Sequence, residues 1–371
     1  MQRLIGSIFA APSELFFFGA WTVASLFRPL VLVTVICLLA NPTAAYRKFL
    51  LFLSTLQYLV LCSDKKWKEP SEDPSQFFPP NDTTDSTEIT SKTIVFVRHG
   101  ESTWNDTFNK GDRSIIDFVL NFIPNLIYAI GTEWYFWVAG QANDSWFFDA
   151  PLSEKGRRQA ESVRTFLDQQ NIEYLPPKEQ ELIKMLRGGG GDGGGAQLVS
   201  SNLRRAIATV ALGFRDRLSK ESTKDTILLL PQLQEISRNP DALSITPPYS
   251  PVVPAGTDPP SLTRVYAQQV DTTRHSGNKP VSSNGLLRMQ SFCTAVFEDI
   301  DKNALIVGGH SLWFRSFFRT YLPRSCTHVA KQKKIVNGGV VAFTLQRRKR
   351  SKGDAVYCID PSSVVVLHGG F

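Results

Sequence analysis

The sequence predicts an α/β fold, a three-layer sandwich with a mostly parallel central sheet. Apolar runs at residues 93–97, 197–200 and 304–307 each end in a polar or glycine-containing turn. Helix-like segments follow these turns, and strands that alternate with helices indicate a parallel sheet. Two later apolar runs, 339–345 and 355–360, are expected to complete the sheet. An apolar helical, membrane-associated N-terminal segment is expected to precede it.

Composition divides the 371 residues into three parts. Residues 1–68 are rich in Leu, Phe, Val, Ile and Ala, which indicates an apolar membrane-anchor region. Residues 69–91 are rich in Pro, Ser, Asp and Thr, which is typical of a flexible linker. Residues 92–371 are long enough for one catalytic domain. Insertions are expected in it at residues 106–148 and 247–284.

The anchor region does not follow one simple pattern. No single apolar run reaches the roughly 20 residues of a straight membrane span. Residues 15–40 can form a transmembrane helix if Arg28 lies near an interface. A membrane hairpin, an interfacial anchor and a buried soluble helical region stay open as alternatives. Lys65, Lys66 and Lys68 follow the anchor and favour a cytosolic catalytic domain.

Charge and cysteine spacing narrow the function further. The net charge of +7 is scattered and comes with no nucleic-acid-binding motif, so we expect no nucleic-acid partner. Attraction to anionic substrates or to a membrane surface is the better use of this charge. The five cysteines have neither paired nor metal-binding spacing. We therefore expect no metal, no other cofactor and a reducing compartment.

The most specific motif follows the first predicted strand. The chain there reads Arg98-His99-Gly-Glu-Ser-Thr-Trp-Asn105. This order places an arginine and a histidine at the carboxyl edge of the sheet, where open α/β folds bind ligands. Neutral imidazole can attack phosphorus, and a guanidinium matches phosphate oxygens with forked donors. Two of the other histidines, His275 and His328, lie in polar context and are expected at the surface.

Three more segments place candidate residues at apparent strand ends. Arg205 follows a strand that ends in Ser-Ser-Asn, and Glu235 follows an apolar run at residues 226–230. His310 and Ser311 follow a Gly-Gly turn. His310 is expected to stabilise charge that develops on the phosphoryl oxygens. Glu235 is expected to protonate the leaving alkoxide and then to activate water. The backbone N–H of Ser311 is a further expected phosphate donor.

These motifs together resemble the signature of the histidine phosphatase superfamily, which includes the cofactor-dependent phosphoglycerate mutases. The resemblance implies that His99 is phosphorylated during turnover and that His310 faces it across the phosphate. It also implies that Arg205 binds phosphate, with Asn105 as a further donor. The acid of that family often belongs to a Leu-x-Glu element, which corresponds here to Glu235.

We therefore expect a metal-independent phosphomonoester hydrolase that acts through a phosphohistidine on His99, with Arg98 among its phosphate ligands. The alternatives are a phosphoglycerate mutase-type phosphotransferase and a non-catalytic phosphate-binding or scaffold protein. The mutases carry Glu-Arg-His-Tyr-Gly after the acid position, and residues 235–240 lack it. The substrate stays open. Residues 106–148 form either a lid, a membrane-facing wall or additional core.

Overall fold

A computed structural model describes most of the chain. The described residues are 28–29, 31–78, 89–111, 113–141, 143–169, 171–189, 195–220, 225–349 and 355–371. Of the predicted span at residues 15–40, residues 15–27 and residue 30 lie outside them. Residues 79–88 of the predicted linker lie outside them as well.

In the described part of the chain, eight strands form one sheet. They are β1 Ile89–Arg98, β2 Ala196–Ser200, β3 Ile227–Leu229, β4 Val270–Asp271, β5 Ala304–Gly309, β6 Val340–Lys349, β7 Ala355–Ile359 and β8 Val365–His368. Their order is β4-β3-β2-β5-β1-β6-β7, and β8 pairs with β6. Strands β1 to β5 run parallel, whereas β6, β7 and β8 pair antiparallel. The predicted mostly parallel sheet is confirmed.

Helices cover both faces of the sheet. They are α1 Val31–Ala40, α2 Pro42–Leu61, α3 Thr103–Phe108, α4 Ile115–Val138, α5 Glu154–Gln169, α6 Pro177–Leu186, α7 Arg204–Gly213, α8 Arg215–Leu218, α9 Pro260–Gln268, α10 Gly285–Thr294 and α11 Ser311–Tyr321. A π-helical turn, Ala295–Asp299, extends α10. The predicted three-layer α/β arrangement is therefore confirmed.

Strand β1 shows why the sheet has two cores. Four consecutive apolar side chains of β1 are fully buried, as expected for a strand covered on both faces. Ile94 and Phe96 belong to the core beneath α10 and α11. Val95 and Val97 belong to the core beneath α5 and α7. The alternation of side chains along a strand thus splits one apolar run between two layers.

The register of the parallel strands brings the predicted functional segments together. Arg98 at the end of β1 pairs with Gly309 at the end of β5. Ser200 at the end of β2 pairs with both Gly308 of β5 and Leu229 of β3. Four neighbouring parallel strands therefore end at one edge. The segments that follow them contain all of the predicted catalytic residues.

A close backbone approach fixes the turn after β1. A Cβ added to Gly100 would lie 2.2 Å from the carbonyl oxygen of Gly156 in α5, and a Cβ on Gly156 would lie 1.9 Å from the carbonyl oxygen of Glu101. The backbone N–H of Gly100 also donates to Oγ1 of Thr209 in α7 at 3.0 Å. Helices α5 and α7 thus hold the turn after β1 from two sides.

Residues of the predicted linker lie against the domain. Strand β1 already begins at Ile89, inside the interval 69–91. Glu69 pairs with Arg319 of α11 at 2.6 Å, and a carboxylate oxygen of Asp73 accepts from the backbone N–H of Arg324 at 3.0 Å. Residues 69–78 therefore follow the surface of the domain, while the boundaries between the three predicted parts stay predictions.

The two predicted insertions differ in their burial. Within α4, in the first insertion, the buried residues are Ala129 and Phe136, so the additional-core alternative is wrong for this helix. The second insertion contains α9 and β4, and it buries Leu262 and Tyr266. Strand β4 extends the sheet edge, although its two residues give no strand pattern in the sequence.

Replacing Gly156 with alanine tests the close approach between α5 and the turn after β1. We expect Gly156→Ala to lower the free energy of unfolding by about 1–3 kcal/mol, because the new Cβ overlaps backbone. Gly131→Ala in α4 is the matched control, since an added Cβ there meets nothing within 4 Å. We expect it to stabilise by about 0.5–1 kcal/mol. Urea denaturation in detergent measures both, and equal stability of the two variants would contradict the close approach.

Candidate active site

His99 is the first residue after β1 and is 3% exposed. Its backbone N–H donates to the carbonyl oxygen of Gly309 at 3.0 Å, which links the turns after β1 and β5. Its Nδ1 lies 2.5 Å from the carbonyl oxygen of Gly100. A carbonyl accepts only, so this contact assigns the proton to Nδ1. The lone pair of neutral His99 therefore lies on Nε2, the nitrogen that remains for nucleophilic attack.

His310 faces His99 from the end of β5. The two ring centroids are 5.0 Å apart and the ring planes are inclined by 57°. Nε2 of His310 lies 2.8 Å from Oγ of Ser201, which follows β2. Nδ1 of His310 is buried and has no hydrogen-bond partner. The structure thus brings together two histidines that are distant in the sequence, and it leaves one nitrogen of His310 for a ligand.

Arg205 lies in the first turn of α7 and is 2% exposed. Its Nη1 donates to the carbonyl oxygen of Asp241 at 2.6 Å, and its Nη2 lies 3.4 Å from the carboxylate of Asp241. Its Nε is buried without a hydrogen-bond partner. Leaving a buried donor unsatisfied costs about 1–3 kcal/mol, so this side of the guanidinium favours an acceptor such as a phosphate oxygen.

The neighbouring arginine has a different role. Arg204 is 1% exposed, and its guanidinium donates to a carboxylate oxygen of Asp144 at 2.6 Å and to the carbonyl oxygens of Asp149 and Ser145 at 3.0 Å. Its donors are directed at protein acceptors, so it holds the insertion against α7. Both arginines are buried, so neither is a solvated surface residue.

Burial and the neighbouring positive charges determine the protonation of His99 and His310. Burial lowers the pKa of His99 well below 6.5, and the guanidinium of Arg205 and then that of Arg98 lower it further. Burial likewise lowers the pKa of His310, again with Arg205 as the next cause. The charge of Arg205 therefore acts on both rings. Both imidazoles are neutral near neutral pH, which is the form that a nucleophilic His99 needs.

Arg98 ends β1 on the other side of His99. It is half-buried, and its Nη1 donates to the carbonyl oxygen of Ile335 at 2.6 Å. This bond anchors the guanidinium to the loop before β6. Arg98 and Arg205 together surround His99 with positive charge that lowers its pKa.

Glu235 is 8% exposed, and its carboxylate contacts the N-terminal turn of α11. Its Oε1 accepts from the backbone N–H of Trp313 at 3.2 Å and from that of Ile236 at 2.9 Å. Trp313 is in the first turn of α11, two residues after Ser311. The structure therefore brings the predicted acid to the segment that contains His310.

The remaining predicted ligands have different surroundings. Ser311 is buried at the first position of α11, where helix N–H groups lack an intrahelical partner. Asn105 lies half-buried on α3, and its Oδ1 accepts from Asn109 at 2.6 Å. Its role in phosphate binding stays a prediction. His275 is fully buried with Nε2 3.2 Å from the carbonyl oxygen of Thr246, so the predicted surface position is wrong.

A buried carboxylate from the predicted anchor region supports the loop that contains Glu235. Asp64 lies just beyond α2, is 0% exposed and pairs with Lys279 and Arg288 at 2.7 Å each. Nζ of Lys279 donates to the carbonyl oxygens of Glu235 at 2.5 Å and Ser237 at 2.8 Å. Nη1 of Arg288 donates to the carbonyl oxygen of Gln234, the residue before Glu235, at 2.6 Å. We name Asp64, Lys279 and Arg288 the clasp.

Sequence reasoning missed the clasp and Asp241. Asp241 accepts from Arg205, and burial raises its pKa, with Arg205 opposing the rise. Asp64 gave one weak signal, a single carboxylate between the last apolar run and Lys65 and Lys66. Neither acid occurs in a motif with its partner, and both pairs join segments that are distant along the chain.

Solved structures similar to this chain include phosphatases. An alpha-ribazole phosphatase from Shigella flexneri is 13% identical over 75% of this chain and 98% of that chain, with a TM-score of 0.34. A mycobacterial glucosyl-3-phosphoglycerate phosphatase in complex with VO3 is 15% identical over 72% of this chain and 97% of that chain, with a TM-score of 0.33.

No protein-family model and no curated protein matches the sequence.

Replacing Asp64 with asparagine tests the clasp. We expect Asp64→Asn to cost about 3–5 kcal/mol in the free energy of unfolding, because Lys279 and Arg288 stay buried without a countercharge. Glu69→Gln is the control, since its exposed pair with Arg319 contributes only about 0–1 kcal/mol. Denaturant unfolding of the full chain measures both, and equal small losses would contradict the clasp.

The loss of stability caused by Asp64→Asn should also depend on pH. Burial raises the pKa of Asp64, but Arg288 and Lys279 outweigh it and hold the pKa below the ordinary value of 3.8. A lowered folded-state pKa gives stability that is present above the ordinary value and is lost as the pH falls through the folded one. The difference between wild type and Asp64→Asn should therefore shrink in acid. A difference that grows in acid would contradict this assignment.

Proposed function

We propose that this chain is a phosphomonoester hydrolase of the histidine phosphatase type, acting through a phosphohistidine on His99 without a metal. The observation that supports this most directly is the pair of buried imidazoles of His99 and His310, with ring centroids 5.0 Å apart. The guanidinium of Arg205 lowers the pKa of both rings, and its buried Nε has no hydrogen-bond partner. Such a pocket suits a small oxyanion with negative charge.

In the first step, Nε2 of His99 attacks phosphorus and the bond to the ester oxygen breaks. Glu235 donates its proton to the leaving alkoxide, which departs as an alcohol. In the second step, water attacks the phosphohistidine, the carboxylate of Glu235 takes the proton of that water, and the P–N bond breaks. The second step restores neutral His99 and protonated Glu235, and it releases inorganic phosphate.

The donors around His99 stabilise the transition state. Arg98 and Arg205 neutralise charge on the equatorial oxygens of the phosphoryl group. Nδ1 of His310, when it carries the proton, donates to a non-bridging oxygen. The backbone N–H of Ser311 faces the same anion from the N-terminus of α11, where the helix dipole favours negative charge.

Removing the nucleophile separates the three candidate functions. We expect His99→Ala to lose at least about a thousandfold in phosphate release from phenyl phosphate, because no other group forms the intermediate. His328→Ala is the control, a half-buried histidine outside the pocket. Acid-labile phosphate on His99 in a quenched reaction would support the mechanism.

Other outcomes point to the alternatives. Full activity of His99→Ala would contradict the hydrolase mechanism. Phosphoryl transfer between hydroxyls of one substrate with little free phosphate would indicate a mutase. Phosphate binding without turnover of any monoester would indicate a binding protein.

The pH profile reports the nucleophile. Burial, Arg205 and Arg98 lower the pKa of His99 below 6.5, so the neutral form persists as the pH falls through that value. We expect the loss of kcat/KM that follows protonation of His99 to have its midpoint below pH 6.5. A midpoint at or above that value, measured with phenyl phosphate, would contradict a buried nucleophile beside two cations.

We further propose that the chain is membrane-associated, with its catalytic domain in the cytosol. Helix α4 is long and apolar enough to cross a membrane, and α1 and α2 pass the same test together but are bent by 117°. On α4, Ile116, Leu120, Ile123 and Ile127 are each more than half exposed and recur at helical spacing. An exposed apolar stripe of this kind on a helix is typical of a membrane-facing surface.

Helices α2 and α4 are joined at a buried ion pair. Lys48 of α2 is 6% exposed and pairs with Glu133 of α4. Its Nζ also donates to the carbonyl oxygen of Asp144 at 2.6 Å and lies 6.0 Å from the ring centroid of Trp137. The apolar residues of the first insertion and those of the predicted anchor region are therefore held together. Both helices therefore support the membrane proposal.

Charging the stripe of α4 tests the membrane proposal. We expect Leu120→Glu with Ile123→Glu to reduce co-flotation with phosphatidylcholine–phosphatidylserine vesicles by at least about tenfold, since each carboxylate opposes insertion by more than 1 kcal/mol. Tyr174→Glu is the control, an exposed residue outside α2 and α4. Unchanged flotation of the double variant would contradict a role of α4. Complete release by alkaline carbonate would exclude a spanning segment.

A further inference from the structure

A cavity of about 560 Å³ lies beside the catalytic acid. One wall is the segment that follows α2, and the opposite wall is the outer side of α11. Its lining includes Ile236, the neighbour of Glu235, and Leu312, the neighbour of Ser311. The cavity therefore adjoins the side of the site where the acid would protonate the leaving group.

Positive charge dominates this cavity. Lys65, Lys68, Arg315 and Arg319 line it together with one carboxylate, that of Glu69. Glu69 pairs with Arg319 at 2.6 Å and so neutralises that cation. Among the residues that the structure describes, no ion pair is formed with Lys65, Lys68 or Arg315. Arg315 is also half-buried. A half-buried guanidinium without a countercharge favours an anionic ligand.

The positive charge continues from the cavity to the phosphate pocket. Lys334 lies before β6, and burial lowers its pKa, with Arg98 as the next cause and Arg315 and Lys65 as further ones. Glu235 acts on the same lysine in the opposite direction. Charge from the pocket residue Arg98 and from the cavity residues Arg315 and Lys65 therefore acts on the same lysine.

The wall that follows α2 is held rigidly. Asp64 of the clasp immediately precedes Lys65, and its carbonyl oxygen accepts from the backbone N–H of Gly285 at 3.2 Å. A Cβ on Gly285 would lie 2.7 Å from Nε1 of Trp67, which shows how closely Trp67 packs on α10. Asp64 and Trp67, which precede Lys65 and Lys68 in the sequence, are thus held in place. A preformed wall reduces the entropy that ligand binding would cost.

We propose that this cavity binds a second anionic group of the substrate, so that the chain hydrolyses phosphomonoesters whose alcohol carries a further phosphate or carboxylate. The inference rests on the proposed function, because it places the leaving group next to Glu235. The segment 65–68 follows the membrane-facing helix α2, so a lipid head group and a soluble metabolite both meet this description. Their shared feature is an anion beyond the ester oxygen.

The test compares two soluble substrates that differ in one group, propyl phosphate and propanediol bisphosphate. In the wild-type full chain we expect a KM for the bisphosphate about tenfold below that for propyl phosphate, as one charge-assisted contact would give. Arg315→Gln should abolish that ratio. Arg274→Gln removes an exposed arginine that pairs with Asp299 outside the cavity, and it should keep the ratio. An equal KM for the two substrates in the wild type would overturn the inference.

The same experiment distinguishes this inference from the proposed function. Hydrolysis of propyl phosphate without preference for the bisphosphate overturns the cavity proposal and leaves the hydrolase standing. If neither is hydrolysed, the proposed function fails, and calorimetric binding of the bisphosphate to wild type and Arg315→Gln then decides the cavity alone. Equal affinities would overturn it, and about tenfold weaker binding by the variant would support it.

A second arm identifies the source of the anion. It compares phosphatidylcholine vesicles that contain a phosphatidylinositol monophosphate with the deacylated head group of the same lipid. Turnover of either above that of propyl phosphate, lost in Arg315→Gln, supports the proposal, and the faster of the two identifies a lipid or a soluble substrate. Turnover of neither above propyl phosphate counts against it.

Discussion

The common edge at which four parallel strands end is the constraint on which the site depends. Strands β1, β5, β2 and β3 are neighbours, and their registers align Arg98 with Gly309 and Ser200 with Leu229. Segments more than 200 residues apart, such as those of His99 and His310, thereby reach one pocket. Both faces of the sheet are buried, so the strand ends are held by two cores rather than by the pocket itself.

The buried cations around the site differ in how completely protein groups neutralise them. Arg204 is met by the carboxylate of Asp144 and by two carbonyls, and Lys279 and Arg288 are met by Asp64. Arg205, one residue further on, keeps a buried Nε without a partner. Burial makes an unmatched donor costly, so the incomplete neutralisation of Arg205 marks where an anion would bind. In the same way, the cavity beside Glu235 contains cations without a countercharge, and this favours an anionic ligand.

Local patterns predicted the strand ends and the residues that follow them. His99, Arg205 and His310 could be found because each follows an apolar run that is short and strand-like. The clasp could not, because Asp64 meets Lys279 more than 200 residues later and no local pattern encodes that contact. Burial of His275 and exposure of α4 were likewise set by tertiary packing. Apolar composition shows that a surface avoids water but leaves open whether protein or lipid covers it.

A crystal structure of the full chain soaked with orthovanadate tests the central claim most directly, because vanadate adopts the geometry of the phosphoryl group in transfer. The pocket described above requires vanadium bonded to Nε2 of His99, with Nε of Arg205 and Nδ1 of His310 within hydrogen-bond distance of its oxygens. Vanadate bound elsewhere, or an empty pocket with His99 and His310 turned apart, would contradict the convergence of these side chains on one anion.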